Sequence, residues 1–376
     1  MIEYNKNNPF LASIKERYSL CKPGSGKETQ HIVLDMSGSG IHYEVGDSVA
    51  VFPENDPYLV QRTLEVMGAE GTEIINDKRT NEKWELRSFL TKKAGITEFS
   101  KKFVTELAKR QPNEIKKIKL EETLESSFKE YQATRELWDA LLENIEVKFD
   151  LQELCDLMMP LMPRFYSISS SRNVVGEEVH LTVALLSYKT NEQLRRGVCT
   201  HYLCNLAPLN ESVIPIYFQS GKEFTIPKKS DVPIIMIGPG TGIAPFRAFM
   251  QERVLQANAK NWLFFGEWHK NHNFFYEDFF VELESKGNLR LDLAFSRDHE
   301  KKVYVQHKMM ESGKELYEWL QSGALLYVCG NASSMAKDVE LALHNIIQEH
   351  GKLSEVETKA FVKQLRNEKR YIRDVY

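Results

Sequence analysis

The chain has 376 residues, of which 27% are charged and 42% hydrophobic, with a formal net charge of -4. This is long enough for two or three domains with sizeable cores, it has an ordinary globular composition, and it lacks the basic footprint that duplex nucleic acid requires. The polar start MIEYNKNNPF does not read as a secretory signal, no stretch approaches the ~20 apolar residues that span a bilayer, and the scattered Cys21, Cys155, Cys199, Cys204 and Cys329 contain no CxxC pair. The expectation is a reducing, cytoplasmic setting, with no membrane or nucleic-acid partner, no disulfide framework and no metal site.

From Gln30 to Pro53, QHIVLDMSGSGIHYEVGDSVAVFP alternates apolar and polar residues and is punctuated by Gly38, Gly40 and Gly46. Half-buried antiparallel strands joined by tight turns have this pattern. Between about Pro57 and Leu157 the period changes: PYLVQRTLEVMG and TRELWDALLENI place apolar residues three and four apart, which predicts a mostly helical insert. Strand patterns return from Pro163 to about Pro227 in RFYSISSS, EVHLTVALLSY and SVIPIYFQ. The simplest assembly is one antiparallel β barrel over residues 1–60 and 155–228, interrupted by a helical insert over 61–154. Over 229–376 the apolar strands VPIIMIG, NWLFFGE, LRLDLAFS and ALLYVCG alternate with helical stretches such as PFRAFMQERVLQA and SSMAKDVELALHNIIQEHG. Such alternation predicts a doubly wound parallel α/β sheet, whose ligands bind beyond the carboxyl ends of the strands. The closing RYIRDVY, taken alone, reads as a helical tail with a leftover aromatic on a free chain end.

Four stretches carry chemistry. In MIGPGTGIAPFRAFM a buried strand ends at Ile237, Gly238, Gly240 and Gly242 follow, and a helix begins near Pro245. Glycines admit close backbone approach and a helix start offers unpaired N–H groups, so a pyrophosphate suits this turn. The run is not the GxGxxG fingerprint and lacks a P-loop lysine, and a turn that merely packs is the alternative. In FSRDHEKKVYVQHKM, Ser296, Arg297, Lys302, Tyr304 and Gln306 offer a hydroxyl, two cations, an aromatic face and an amide. This set suits a ribose phosphate, and a solvated charge run is the competing reading. PRFYSISSS puts Arg164, Tyr166 and Ser167 on one strand, with Arg164 and Tyr166 on the same face. RRGVCTHYLCNL opens a helix after Gly197, again with amides for phosphate; Cys199 and Cys204 could begin an iron–sulfur spacing, but no third cysteine follows. A strand tyrosine is ordinarily core, yet together these two stretches suit a flat, phosphorylated cofactor.

RFYSISSS, GVCT, GPGTGIAPFRAF, SRD with KVYVQ, YVCGNASSMAKDV and the terminal RDVY occur in an order that resembles the diflavin reductases. That family includes the sulfite reductase flavoprotein subunit, the microsomal cytochrome reductases and, more distantly, the ferredoxin-NADP reductases. NNPFLAS and RDVY bring the chain nearest to the sulfite reductase branch. The resemblance implies FAD in the barrel, with Arg164 at its pyrophosphate, Tyr166 along the isoalloxazine, Tyr188 near the adenine half, and Gly197, Val198, Cys199 and Thr200 at its phosphates. It implies NADPH rather than NADH, with Gly240, Thr241 and Gly242 at the pyrophosphate and Ser296, Arg297, Lys302, Tyr304 and Gln306 at the 2'-phosphate. Ser167, Cys329 and Asp374 would gather around the hydride path, and Tyr376 would stack over the flavin as a lid on a free chain end.

Asn331 stands where the family usually has Asp, and Val45 where a proline commonly precedes the Gly-Asp pair. The FMN domain that precedes this region in diflavin proteins is not represented, so a separate protein acceptor of FMN, iron-sulfur or haem type is the expected electron outlet, unless the sequence is an excised fragment. The implied activity is an NADPH-dependent FAD reductase passing electrons singly to that acceptor. The alternatives are a reductase of small quinones or free flavins, and a catalytically silent nucleotide-binding subunit.

Overall fold

A computed structural model describes residues 4–256, 259–332 and 335–376; Ser333 and Ser334 of the YVCGNASSMAKDV motif lie outside the described residues. Its contacts divide the chain into two units, one of Met1–Ala50, Phe165–Ala184 and Pro208–Tyr376, the other of Val51–Arg164 and Leu185–Ala207.

In the first unit the alternating segments form an antiparallel sheet of β1 (Phe10–Ser19), β2 (Thr29–Asp35), β3 (Ser48–Val51), β4 (Arg164–Ser167), β5 (Glu178–Ala184) and β6 (Ile214–Gln219). The spatial order is β4-β3-β6-β1-β2-β5. Just past β4, Ile168 bridges Leu181 of β5, and the Ser169 N–H donates to the His180 carbonyl at 2.8 Å. The first and last strands of the sheet therefore meet, which closes it into the expected barrel and satisfies backbone groups that an open edge would leave unpaired.

The alternating final third builds a parallel sheet of β7 (Ile234–Ile237), β8 (Asn261–Glu267), β9 (Arg290–Phe295), β10 (Leu325–Gly330) and β11 (Tyr371–Val375), in the order β9-β8-β7-β10-β11. β7 and β8 are buried along their whole length, as strands covered by helices on both faces must be. The strand order reverses at β7, so the crevice beyond the ends of β7 and β10 is the place where such sheets take ligands.

The chain end differs from its local reading. RYIRDVY contributes a strand, not a helical tail, with Tyr371 to Val375 in parallel register against Leu326 to Gly330. Tyr376 continues the pairing: its N–H donates to the Gly330 carbonyl at 3.1 Å, and its own carbonyl accepts from the Ala332 N–H at 2.9 Å. A five-residue segment has no strand stability of its own, and the partner that supplies it lies forty-five residues upstream, beyond the reach of local pattern. The chain end is consequently bonded through its last residue rather than free.

The second unit is mainly helical, with helices Pro57–Met67, Leu86–Lys92, Lys101–Arg110, Glu114–Glu122, Leu137–Glu143 and Leu151–Leu157 around a core that includes Phe89, Phe99, Phe103, Leu107 and Leu141. It also holds a hairpin of Ser187–Thr190 and Gln193–Arg196, followed directly by the short helix Val198–His201.

Within the first unit, barrel and parallel sheet share a buried polar network. His31 on β2 contacts Tyr276 Oη through Nδ1 at 2.9 Å and His180 Nδ1 through Nε2 at 3.2 Å. Tyr276 Oη also meets Thr182 Oγ1 at 2.6 Å, and His180 Nε2 meets Glu178 at 3.0 Å. The Arg247 guanidinium donates to the Ser169 carbonyl at 2.6 Å and lies 4.8 Å from the Tyr276 ring. Burial above all, helped by the charges of Arg247 and His180, pushes the His31 imidazole down from 6.5 to about 2. Burial also lowers His180, against the opposing pull of Glu178.

An unfolded His31 takes up a proton near pH 6.5 while the folded one stays neutral, so the unfolded state binds more protons as pH falls through this range. The stability associated with His31 is thus present above pH 6.5 and is lost toward acid, by at most about 1.4 kcal/mol per pH unit. Urea unfolding between pH 7.5 and 5 should show a falling midpoint for the wild type and a shallower fall for His31→Gln. Parallel curves would remove His31 as the cause.

Candidate functional site

At the end of β7 the chain turns through a 3-10 segment, Gly240–Ile243, into the helix Ala244–Arg253, with Pro245 in its first turn. A Cβ at Gly242 would lie 2.1 Å from the Cys329 carbonyl oxygen, so only glycine lets this turn cross the end of β10. Gly240 has φ 60° and turns the backbone outward beside Glu267. Beyond this turn a cavity of about 430 Å³ opens at the carboxyl ends of β7, β8 and β9, lined among others by Gly240, Glu267, Trp268, Ser296, Tyr304 and Gln306.

The expected ribose-phosphate residues divide. Ser296 is buried, with its N–H donating to the Glu267 carbonyl at 2.8 Å; Tyr304 caps and Gln306 opens the helix Val305–Glu311 at the cavity wall. Arg297 and Lys302 are exposed and do not line the cavity. The Arg297 guanidinium instead stacks 3.3 Å from the centroid of Trp268, whose ring does line it. That leaves Arg297 one ring away from the cavity.

Sequence reasoning missed Lys27, Glu267, Trp268 and Asp338. Lys27, between β1 and β2, makes an ion pair with the buried Glu267 carboxylate and lies 5.1 Å from the Trp268 ring. No local pattern connects Lys27 to a residue 240 positions away. Glu267 and Trp268, in contrast, stand at the carboxyl end of NWLFFGE, where the rule for doubly wound sheets would have found them.

A second cluster lies at the ends of β4, β10 and β11. The Ser167 hydroxyl donates to Asp374 Oδ2 at 2.6 Å, and the Cys329 sulfur is 3.9 Å from the same oxygen. Cys329 and Asp374 are direct partners in the parallel ladder, which explains how a barrel serine, a sheet thiol and a terminal carboxylate meet. Complete burial, then the Asp374 charge, raises the Cys329 thiol well above its ordinary value, so the sulfur is a neutral packing surface. Thr241 Oγ1 and Tyr376 Oη are 2.7 Å apart, while Tyr376 as a residue is 60% exposed. Asn331 lines the cavity, so the usual aspartate would have placed a negative charge there.

The expected flavin residues fall in both units. Tyr166 is half-buried on β4 in the first unit. Arg164, Tyr188 and Gly197 to Thr200 belong to the second, where Arg164 is exposed and Tyr188 is 46% exposed on its hairpin. Gly197 is the N-cap of Val198–His201, and no side chain caps this start. A Cβ on Gly197 would approach Thr200 Oγ1 to 2.8 Å; that hydroxyl donates to the Gly197 carbonyl and accepts the Leu186 N–H at 3.3 Å. Cys199 and Cys204 are both buried, and Cys199 packs with its sulfur 3.9 Å from the Val51 carbonyl. Among the described residues no group of His, Cys, Asp or Glu is arranged to hold a metal ion, and no helix is long and apolar enough to cross a membrane. A glycine-tight helix start without a side-chain cap suits a flavin phosphate, and a lysine-neutralised cavity beside a glycine turn suits a dinucleotide.

Residues 2–202 match the family model described as FAD binding domain, and residues 236–341 match the oxidoreductase NAD-binding domain. The chain belongs to the FAD-binding domain family. This member couples that domain to one for a nicotinamide nucleotide. It is similar to proteins named sulfite reductase [NADPH] flavoprotein alpha-component. The Bacillus subtilis protein is 39% identical over 375 residues, 99% of this chain and 62% of the relative. That of Photobacterium profundum is 38% identical over 382 residues, 100% and 61% of the two chains, and that of Vibrio parahaemolyticus 39% over 376, 100% and 59%. The chain thus spans about 60% of the length of these curated relatives.

The burial of this family member's thiols has a direct readout. Brief iodoacetamide treatment of the native protein at pH 8 should label the half-buried Cys21 and spare Cys329, which reacts only after denaturation. Peptide mass spectrometry separates the two sites, and labelling of native Cys329 would show that the Ser167–Asp374 cluster opens to solvent.

Proposed function

We propose that this chain is the FAD- and NADPH-binding portion of a flavoprotein reductase of the sulfite reductase type, accepting a hydride from NADPH and passing electrons singly to a protein acceptor. The observation that carries the reading is the meeting of barrel Ser167 with sheet Cys329 and Asp374 beside the Thr241–Tyr376 contact. A flavin held by the barrel and a nicotinamide held by the parallel sheet would have to meet at such a place.

Bound FAD would supply a ring that takes two electrons together and releases them one at a time. Around it the side chains have distinct tasks. Arg164 and Gly197 to Thr200 would hold flavin phosphates, Tyr166 would lie along the ring system, and Tyr188 would meet the adenine half. Gly240, Thr241 and Gly242 would hold the nicotinamide dinucleotide's pyrophosphate. Ser296, Tyr304 and Gln306 would offer donors to the 2'-phosphate from the cavity wall, and Arg297, moving off Trp268, and Lys302 would add charge. Asp374 orients the Ser167 hydroxyl, and the neutral Cys329 thiol fills the space behind it and excludes water. Tyr376 would cover the flavin. Because its backbone is held by the sheet, only its ring moves, and the tether to be broken is one hydroxyl–hydroxyl bond of about 0.5–1.5 kcal/mol.

The relatives' designation as the alpha-component of an NADPH sulfite reductase supports an acceptor in a partner component, of haem, iron-sulfur or FMN type.

The purified chain reconstituted with FAD should be yellow and should bleach anaerobically with NADPH; a protein that NADPH leaves oxidised would overturn the reading. A charge-assisted contact contributes about 1.5–3 kcal/mol, so Arg297→Ala should lower kcat/KM for NADPH by roughly one to two decades and leave NADH nearly unchanged. Equal losses with both nucleotides would put the phosphate elsewhere. Deleting Tyr376 removes the competitor for the flavin face and should tighten NADP binding in a direct titration; unchanged affinity would place the ring off that face.

A further inference from the structure

The hairpin of Ser187–Thr190 and Gln193–Arg196 is exposed or half-exposed at every position but one. Its connecting residues Asn191 and Glu192 both have positive φ, 48° and 64°, the tight two-residue turn that matches strand twist. Strands of four residues make a marginal hairpin in water, so something outside it must hold it in place. The exception is Arg195, which is 3% exposed.

Arg195 enters a socket at the start of the helix Leu137–Glu143, in the same unit. Nη1 donates to Glu136 Oε2 at 2.8 Å, Nη2 pairs with Asp139 Oδ2 at 2.8 Å, and the guanidinium lies 5.4 Å from the Trp138 ring. From within the hairpin, Thr190 Oγ1 accepts from Nε at 3.0 Å. The socket is itself braced: Glu136 and Asp139 form the helix's capping box, and the Trp138 indole donates to Glu136 at 2.9 Å. If packing alone were needed, an apolar side chain would serve as well or better, because burying an ion pair costs desolvation on both sides. What a buried, multiply bonded arginine adds is a defined position and register.

The residues so positioned are Tyr188 and the Gly197 turn. Tyr188 is paired directly opposite Arg195, so both side chains stand on one face of the hairpin, and Gly197 follows Arg195 by two residues. We infer that Arg195 is a positioning residue for the adenylate half of FAD, acting through Tyr188 and the Gly197 turn and making the helical insert part of the cofactor site. The inference rests on the flavin assignment proposed above.

Flavin-stripped full-length protein, titrated with FAD and with FMN by fluorescence, tests it. FMN lacks the adenylate half and therefore reports everything that Arg195 should not affect. Arg195→Leu should weaken FAD roughly tenfold or more while FMN affinity stays within about twofold, and Arg195→Lys and Asp139→Asn should fall between. If Arg195→Leu does not fold, the two milder variants carry the comparison. Tyr188→Ala should weaken FAD selectively too, and adding it to Arg195→Leu should cost little more, since one residue acts through the other. Unchanged FAD affinity, or a parallel loss of FAD and FMN, would overturn the role of Arg195. A wild-type chain that binds no FAD would instead overturn the assignment beneath it.

Discussion

The parallel pairing of Tyr371–Val375 with β10 is the constraint on which the nucleotide end of this protein depends. It sets Asp374 beside Cys329, brings the carboxylate within reach of Ser167 from the barrel, and delivers Tyr376 to Thr241. The ladder hydrogen bonds run through Tyr376. The Tyr376 backbone is thus fixed by the ladder, while its hydroxyl meets Thr241 Oγ1 at 2.7 Å.

Several other polar contacts also join segments remote in sequence. Lys27 neutralises Glu267 at the cavity; His31 and His180 tie the barrel strands to Tyr276 of the parallel-sheet region; Arg195 fastens a hairpin to the start of a helix. Burial disfavours the charged forms of His31 and His180, and a buried ion pair such as Arg195 with Glu136 and Asp139 repays its desolvation only in a good geometry. They therefore specify arrangement more than they add stability. Tyr276 shows the cost on the backbone: it holds a left-handed φ of 57°, rare for an aromatic residue, and its hydroxyl is gripped by His31 and Thr182.

Much of this was legible in the order of residues. Alternation in QHIVLDMSG and EVHLTVALLSY, helical spacing in PYLVQRTLEVMG and the β–α rhythm after Pro233 identify a barrel, a helical insert and a doubly wound sheet, because period and burial are local properties of a chain. Gly238, Gly240 and Gly242 marked a turn of close backbone approach, since the absence of a side chain is itself a steric statement. Tertiary structure alone decided that RYIRDVY is a strand, that Ser296, Tyr304 and Gln306 line a cavity while Arg297 stacks behind Trp268, and that Lys27 and the buried Arg195 are ion-pair partners. Each of those facts depends on a partner dozens to hundreds of residues away, and a contact formed by chain folding leaves no trace in local periodicity.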